Sequence, residues 1–262
     1  MGGEMVKLMQ TDNEVNHFEI VIPVYNEERQ LKQSIMILYD FLNEKYPFSQ
    51  WRVTIADNGS RDCTKEIALE LTKKYEKIKY FNLDEKGFGK AVKSVWRGSS
   101  YSILGFIDLD LATDLKHLPE AIDTFQDRDV DIVVGSRLLP ESVVENRTLL
   151  REITSRVFNF ILKKYLRVNY SDGMCGFKFI KKESYAKLLE FGVQNDGWFF
   201  STELLIIADF LNLKMYELPV HWVDNEDSKV QLIDLVKKYL IEMRRVKSRL
   251  RNGKKQLFRF KT

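Results

Sequence analysis

Ile103-Leu-Gly-Phe-Ile-Asp-Leu-Asp110 is a five-residue apolar run followed at once by two carboxylates two positions apart. A run this short and this apolar reads as a buried strand, and its acids stand just past the strand's end. Upstream, Phe18-Glu-Ile-Val-Ile-Pro-Val24 is another apolar, β-branched strand, ending at Tyr25-Asn26. Leu31, Ile35, Leu38 and Leu42 follow at helical spacing, and Pro47 closes that helix. Trp51-Arg-Val-Thr-Ile-Ala56 reads as a second strand with Asp57-Asn-Gly-Ser60 as the loop after it. Thr64 to Tyr75 is helical with Ile67, Leu71 and Tyr75 on one face, Ile78 to Leu83 is a third strand, and a glycine-containing loop leads to a helix from Lys90 to about Ser99. Val130 to Val134 is a further strand.

Strands and helices alternate with short connections, which predicts an α/β fold: a mostly parallel central sheet flanked by helices. Ligands of such sheets bind beyond the carboxyl ends of the strands. Tyr25 to Glu28, Asp57 to Ser60 and Asp108 to Asp110 each follow a strand, so three polar clusters converge on one edge.

Two carboxylates at the end of a buried strand can approach a divalent cation that bridges diphosphate oxygens, and oxygen ligands suit Mg²⁺ or Mn²⁺. Taken alone, Asp108 and Asp110 read first as loop or capping acids before Leu115; their place after the buried strand is what raises the metal reading. Asp57 could accept hydrogen bonds from a nucleobase, although Asp-Asn-Gly is also a common turn. Gly87-Phe-Gly89 lets backbone approach a ligand or simply makes a tight turn. The dinucleotide fingerprint G-x-G-x-x-G follows none of the strands, which counts against a nicotinamide dehydrogenase.

A chain of 262 residues with 44% hydrophobic residues can bury one sizeable core. Two distant cysteines, Cys63 and Cys175, argue against a disulfide scaffold or a zinc site and fit a reducing compartment. Met1 to Asn16 lacks the apolar stretch of a signal peptide, and no run approaches the roughly 20 apolar residues of a membrane span. A soluble or peripheral protein is expected. The net charge of +3 hides an asymmetry: Lys237 to Lys261 holds eleven Lys and Arg against Glu242.

Ile22-Pro-Val-Tyr-Asn-Glu-Glu28, Ala56-Asp-Asn-Gly-Ser-Arg-Asp62 with Thr64, Lys86-Gly-Phe-Gly-Lys-Ala91 and Asp108-Leu-Asp110 occur in an order and spacing that resembles the family 2 glycosyltransferases of the GT-A fold. Gly135-Ser-Arg137, Arg151 with Ser155-Arg156 and Asn159, Asp172-Gly-Met-Cys-Gly-Phe-Lys178, Trp198-Phe-Phe-Ser-Thr-Glu203, Glu217-Leu-Pro-Val220 and Ser228-Lys229 resemble the polyprenyl-phosphate branch, which contains the dolichyl-phosphate mannose and glucose synthases. The resemblance covers residues 18 to 230.

It implies an inverting, metal-dependent hexosyltransferase moving a sugar from UDP-glucose or GDP-mannose to a polyprenyl (dolichyl) phosphate. By that resemblance Pro23, Tyr25, Glu27 and Asp57 contact base and ribose, Asp108 and Asp110 take the metal and diphosphate, and Arg137, Arg151 and Ser155 bind the acceptor phosphate. Glu203 belongs to a helix that the family places near the acceptor, or else caps or pairs. Ala112 stands where mannose synthases commonly have a third metal ligand, Gln, and Val223 where they carry an Arg. Both departures, with Ala112-Thr113 and Cys175-Gly-Phe-Lys178, look more like the glucose synthases, so glucosyl transfer is expected before mannosyl. Phe88 replaces the usual basic residue between the glycines.

Leu232, Val236, Tyr239, Met243, Val246 and Leu250 recur every three or four residues amid Lys237, Lys238, Arg244, Arg245, Lys247 and Arg249. A basic amphipathic helix reads as membrane-surface binding or as a helix packed on the core by its stripe. Val157, Phe158, Phe160, Ile161 and Tyr165 form a second apolar group, with core packing the default and lipid contact the alternative. The expected organisation is an N-terminal extension (1–17), a GT-A domain (18–230) and a basic tail (231–262), at the cytoplasmic face of a membrane. The alternatives are a family 2 transferase acting on a saccharide hydroxyl and a non-catalytic nucleotide-binding subunit partnering a membrane protein. No nucleic acid is expected, since the tail lacks interleaved aromatic platforms.

Overall fold

The structure, a computed structural model, describes residues 17–224 and 232–259, with side chains in the last helix described from 238 to 252. Residues 1–16, the Ser228-Lys229 pair and the 230/231 boundary lie outside the described residues, as do the side chains of Leu232, Val236 and Lys237.

Seven strands form one sheet in the order β3-β2-β1-β4-β7-β5-β8, where β1 is His17–Val24, β2 Gln50–Asn58, β3 Ile78–Leu83, β4 Ile103–Ile107, β5 Ile132–Ser136, β7 Phe177–Lys181 and β8 Met215–Pro219. All neighbouring pairs are parallel except those of β7, which runs antiparallel between β4 and β5. The helices are α1 (Leu31–Lys45), α2 (Thr64–Lys74), α3 (Phe88–Gly98), α4 (Leu118–Asp127), α5 (Leu149–Leu166), α6 (Lys182–Phe191), α7 (Phe200–Phe210) and α8 (Leu232–Arg259). The parallel sheet flanked by helices is therefore as expected. Strands β1 and β4 are almost wholly buried, because helices cover both faces of the sheet. Leu31, Ile35, Leu38 and Leu42 pack α1 onto one face; Ala91, Val92, Val95 and Trp96 pack α3 onto the other.

Three boundaries differ from the sequence reading. Strand β2 runs on through Asp57 and Asn58, which pair with Asn82 and Leu83 of β3. Strand β5 starts at Ile132 and continues to Ser136, drawn out by pairing with β8. Helix α3 begins at Phe88, with Gly87 extended before it. Gly89 lies inside that helix because a Cβ there would stand 2.4 Å from Cβ of Phe200 and 2.7 Å from the Asn195 carbonyl. It packs the helix against the chain beyond, a role unrelated to a ligand.

A second, two-stranded sheet pairs β6 (Val143–Glu145) with β9 (His221–Val223) in parallel. The segment after Asp110 joins it: Val223 donates to the Ala112 carbonyl at 2.8 Å, and Asp114 to that of His221 at 3.0 Å. This stitching draws three distant stretches of chain to the strand-end edge. Within α8, Tyr239, Met243 and Val246 are buried, and Tyr239 sits edge-on to Phe158 and Phe199 at ring distances of 5.3 and 5.1 Å. The described part of the tail's apolar stripe thus packs on the core. No helix among the described residues is long and apolar enough to cross a membrane.

Candidate active site

The loops after β1 and β2 are knitted together by short-range polar contacts. Asn26, at φ 57°, donates from its amide to Oγ of Ser60 and accepts from the Arg61 amide at 2.8 Å. Glu27 donates its amide to Oγ1 of Thr64, and its Oε2 accepts from Nε2 of Gln30 at 2.7 Å. Asn58 reaches both neighbours, donating to the Val24 carbonyl at 2.6 Å and accepting from the Gly87 amide at 3.3 Å. Pro23 is the penultimate residue of β1, and the ring of Tyr25 carries the Lys86 ammonium 3.7 Å from its centroid. Asp57 is buried; its Oδ1 accepts from the Ser60 amide at 2.9 Å and its Oδ2 from the Tyr80 hydroxyl at 2.9 Å. The four residues expected at base and ribose stand around one strand-end edge, with Asp57 already holding two internal partners.

Asp108 and Asp110 follow β4 at the same edge. Asp108 is half-buried, and a Cβ on Gly176 would lie 1.8 Å from its Oδ2, so only glycine leaves room for this carboxylate. Surrounding protein and the neighbouring charge of Asp110 raise its pKa to about 7, against the opposing pull of Lys178 and Arg137. Asp110 is exposed at the cleft, yet burial of its surroundings raises its pKa too, partly countered by the Ala112 amide, which donates to Oδ1 at 3.1 Å; Asp224 adds to the rise. Two acids whose charged forms are held unfavourably side by side fit a divalent cation, which relieves the repulsion. Among the described residues no group of three or more His, Cys, Asp or Glu side chains is placed to enclose a metal. One or two carboxylates with the remaining positions left to phosphate oxygens and water is the usual arrangement for Mg²⁺ with a substrate. Ala112 is buried in the core, so its position supplies no ligand.

A set of guanidinium groups stands near these acids, Arg137 within electrostatic reach of Asp108. Arg137 donates through Nε to Oδ2 of Asp172 at 2.7 Å and through Nη2 to Oδ1 at 3.1 Å, and it stacks 4.7 Å from the Trp222 ring centroid. Asp172 is fully buried, and the Arg137 charge and hydrogen bonds hold its carboxyl far below the usual range despite burial. Two donors of Arg137 are therefore occupied by its own protein. Arg151 approaches Asp224, with Nη1 3.8 Å from Oδ1. Ser155, one turn further along α5, is buried with its hydroxyl lacking a hydrogen-bond partner.

Two residues here escaped the sequence reading. Arg147 has a buried guanidinium whose Nε lies 3.3 Å from Oε2 of Glu152 and 3.8 Å from Oδ2 of Asp224, but neither Nε nor Nη1 completes a hydrogen bond. Asp224 accepts from Nε1 of Trp222 at 2.8 Å on Oδ1, and its Oδ2 lacks a hydrogen-bond partner. Buried donors and acceptors left so are rare and costly. Arg147 and Arg151 therefore offer donors close to the start of α5, one turn before the buried Ser155 hydroxyl, while the Asp224 carboxylate is an acceptor that the two guanidinium groups approach. Glu203, by contrast, accepts the Gln194 and Asn195 amides at 3.0 and 2.7 Å and pairs with Arg249; it pairs and caps.

Lys178 is the remaining charged group behind the acids. It is fully buried, donates to Oγ of Ser201 at 2.7 Å and to the Cys175 carbonyl, and burial lowers its pKa to about 8.

Comparison with known proteins bears on this geometry. Residues 19–189 match the Glycosyl transferase family 2 domain. The chain is 31% identical over 215 residues to glycosyltransferase AglD of Haloferax volcanii, covering 82% of this chain but only 34% of AglD, so it spans about a third of that relative. It is 31% identical to the dolichyl-phosphate beta-glucosyltransferase of Drosophila melanogaster (80% of this chain, 68% of that one) and 29% identical to that of Saccharomyces cerevisiae (86% and 73%). In fold it is similar to glucosyl-3-phosphoglycerate synthase from Mycobacterium tuberculosis, solved with Mn²⁺ and UDP-glucose, at a TM-score of 0.64 and 15% identity over 94% of this chain and 82% of that one. The family model covers more than half of the chain, and the chain belongs to glycosyl transferase family 2.

Proposed function

We propose that the chain transfers a hexose, glucose in preference to mannose, from a nucleotide-sugar to a polyprenyl (dolichyl) phosphate with inversion at the anomeric carbon. The observation that carries this is a pair of strand-end acids, Asp108 and Asp110, within electrostatic reach of Arg137 and Asp224, with Arg147 and Arg151 in turn approaching Asp224. The names of the Drosophila and yeast relatives support glucose and a dolichyl acceptor.

Pro23, Tyr25, Glu27 and Asp57 hold the base and ribose in this reading. Asp108 and Asp110 hold Mg²⁺ or Mn²⁺, whose chemistry is to offset charge on the departing nucleoside diphosphate. The unfilled donors of Arg147 and Ser155, with Arg151, fix the acceptor phosphate and aim one oxygen at the sugar. Arg137, locked to Asp172, positions this wall and adds positive potential. A phosphate monoester has its second pKa near about 6, so the nucleophile is anionic around neutrality and needs no general base. Two histidines fit that: His117 accepts from the His221 amide at 2.8 Å and His221 contacts Glu145 at 2.7 Å, contacts that tie the smaller sheet together and to the turn before α4.

The acceptor places the chain at a membrane surface, peripherally, and two unpaired cysteines suit the reducing cytoplasmic side. Residues 18–230 form the catalytic unit and 231–262 the basic tail. The test offers UDP-glucose and GDP-mannose, each radiolabelled, to the purified chain with dolichyl phosphate, with and without Mn²⁺. Label entering the organic phase from UDP-glucose, only with metal and only with the phosphorylated lipid, is expected. Transfer to dephosphorylated lipid or to a saccharide would favour a hydroxyl acceptor. No turnover with either donor would leave a nucleotide-binding subunit.

A further inference from the structure

Helix α5 buries one face and bares the other. Ser155, Phe158, Asn159 and Leu162 are buried. Leu149, Leu150, Ile153, Val157 and Phe160 are exposed by 81%, 67%, 60%, 52% and 60%. Leu149, Ile153, Val157 and Phe160 are spaced four, four and three apart, which aligns them along one side of a helix. Single exposed apolar residues are ordinary; a continuous stripe of this size on a helix marks a surface that something covers.

The charges around the stripe say what covers it. Arg156, Lys163 and Lys164 are exposed on the same helix, and Lys164 lies over the Phe160 ring at 5.8 Å. The helix carries one acid, Glu152, which is paired with Arg147 and Arg156. Helix α8 runs alongside, Lys247 donating to the Tyr165 carbonyl at 2.7 Å, and it adds exposed Arg244 and Arg245. A second copy of the chain would bring like charges together across a symmetric contact. A surface with acyl chains beneath anionic headgroups satisfies both the stripe and its basic border.

We propose that this face of α5 is the chain's membrane-docking surface, with Leu149, Ile153, Val157 and Phe160 inserted among acyl chains and Arg156, Lys163 and Lys164 at anionic headgroups. The choice of lipid over a protein partner rests in part on the lipid acceptor proposed above. One helix then serves two tasks: Arg151 and Ser155 line the phosphate pocket while the opposite side sits in the bilayer. A lipid phosphate need not leave the interface to reach them. Among the described residues of the tail's stripe, Tyr239, Met243 and Val246 face the core.

The test is co-sedimentation with phosphatidylcholine vesicles, with and without phosphatidylglycerol, of the full chain and of the double variant Ile153→Gln, Phe160→Gln. Both side chains are exposed, so the melting temperature should hold. The wild-type chain is expected to bind the anionic vesicles, and the variant to bind them about tenfold or more weakly. Transfer to a detergent-free short-chain prenyl phosphate should be equal in both. Undiminished vesicle binding by the variant, or none by the wild type, overturns the proposal. So does a concentration-dependent dimer in sedimentation velocity that the variant abolishes. A chain that binds vesicles through α5 but turns over no prenyl phosphate leaves this inference standing and removes the functional one.

Discussion

Gly176 faces Asp108 so closely that a Cβ would fall 1.8 Å from Oδ2 and 2.2 Å from the carboxyl carbon. The glycine is the mould for the carboxylate, a constraint stronger than a turn would impose. Gly176→Ala must push Asp108 aside or shift β7, at a cost of about 1–3 kcal/mol for overpacking. Calorimetric titration of Mn²⁺ in the presence of UDP should show binding weakened at least about tenfold. Unchanged Mn²⁺ affinity would mean that Asp108 is not a ligand.

Asp110 lies exposed after β4, and its carboxylate accepts from the Ala112 amide. Asp110→Asn should leave the melting temperature within a few degrees while lowering kcat by roughly three orders of magnitude, matching several kcal/mol of charge stabilisation. Wild-type turnover in this variant would remove the metal assignment.

Arg147 has two buried donors that complete no hydrogen bond, although Glu152 and Asp224 lie near its Nε. If a phosphate completes them, Arg147→Gln should raise KM for the prenyl phosphate roughly ten- to a hundredfold, the equivalent of about 1.5–3 kcal/mol for charge-assisted hydrogen bonds. Donor affinity, measured by UDP-glucose titration, should stay as it was. A loss shared equally between donor and acceptor would indicate a structural role.

The Arg137–Asp172 pair predicts an acid limb of stability. The carboxyl of Asp172 is held below its ordinary value by Arg137, so its contribution is whole above the unfolded pKa near about 3.9 and fades as pH falls through the lower folded value. Asp172→Asn should destabilise by about 3–5 kcal/mol at pH 7, since it strands a buried guanidinium. Urea unfolding of both proteins should show that gap narrowing as the pH falls below about 4. A gap independent of pH would contradict the pairing.

The strand-end acids could be read because buried parallel strands announce themselves as short apolar runs, and chemistry sits where those runs stop. That rule gathered Tyr25, Asp57 and Asp108 at one edge, and the family resemblance supplied the roles expected of them. Arg147 and Asp224 did not, because 77 positions separate them and their meeting depends on β6, β9 and the 112–114 segment, all too short to leave a pattern. Arg137 and Asp172 were each visible in a motif, whereas their pairing with one another was not. The tail's periodicity was correct and its destination open, since three- and four-residue spacing is the same for a helix on a core and a helix on lipid. Only the burial of Met243 and Val246 separates the two, and only exposure identifies the α5 stripe as the unburied one.

Tyr239 wedged between Phe158 and Phe199, with Arg249 tied to Glu203 and the Gly192 carbonyl, makes the last helix a wall of the house and not a porch. Trimming the chain near residue 230 to isolate a minimal catalyst would open the back of the helix that presents Arg151 and Ser155. Any shortened version would have to be judged first by its solubility.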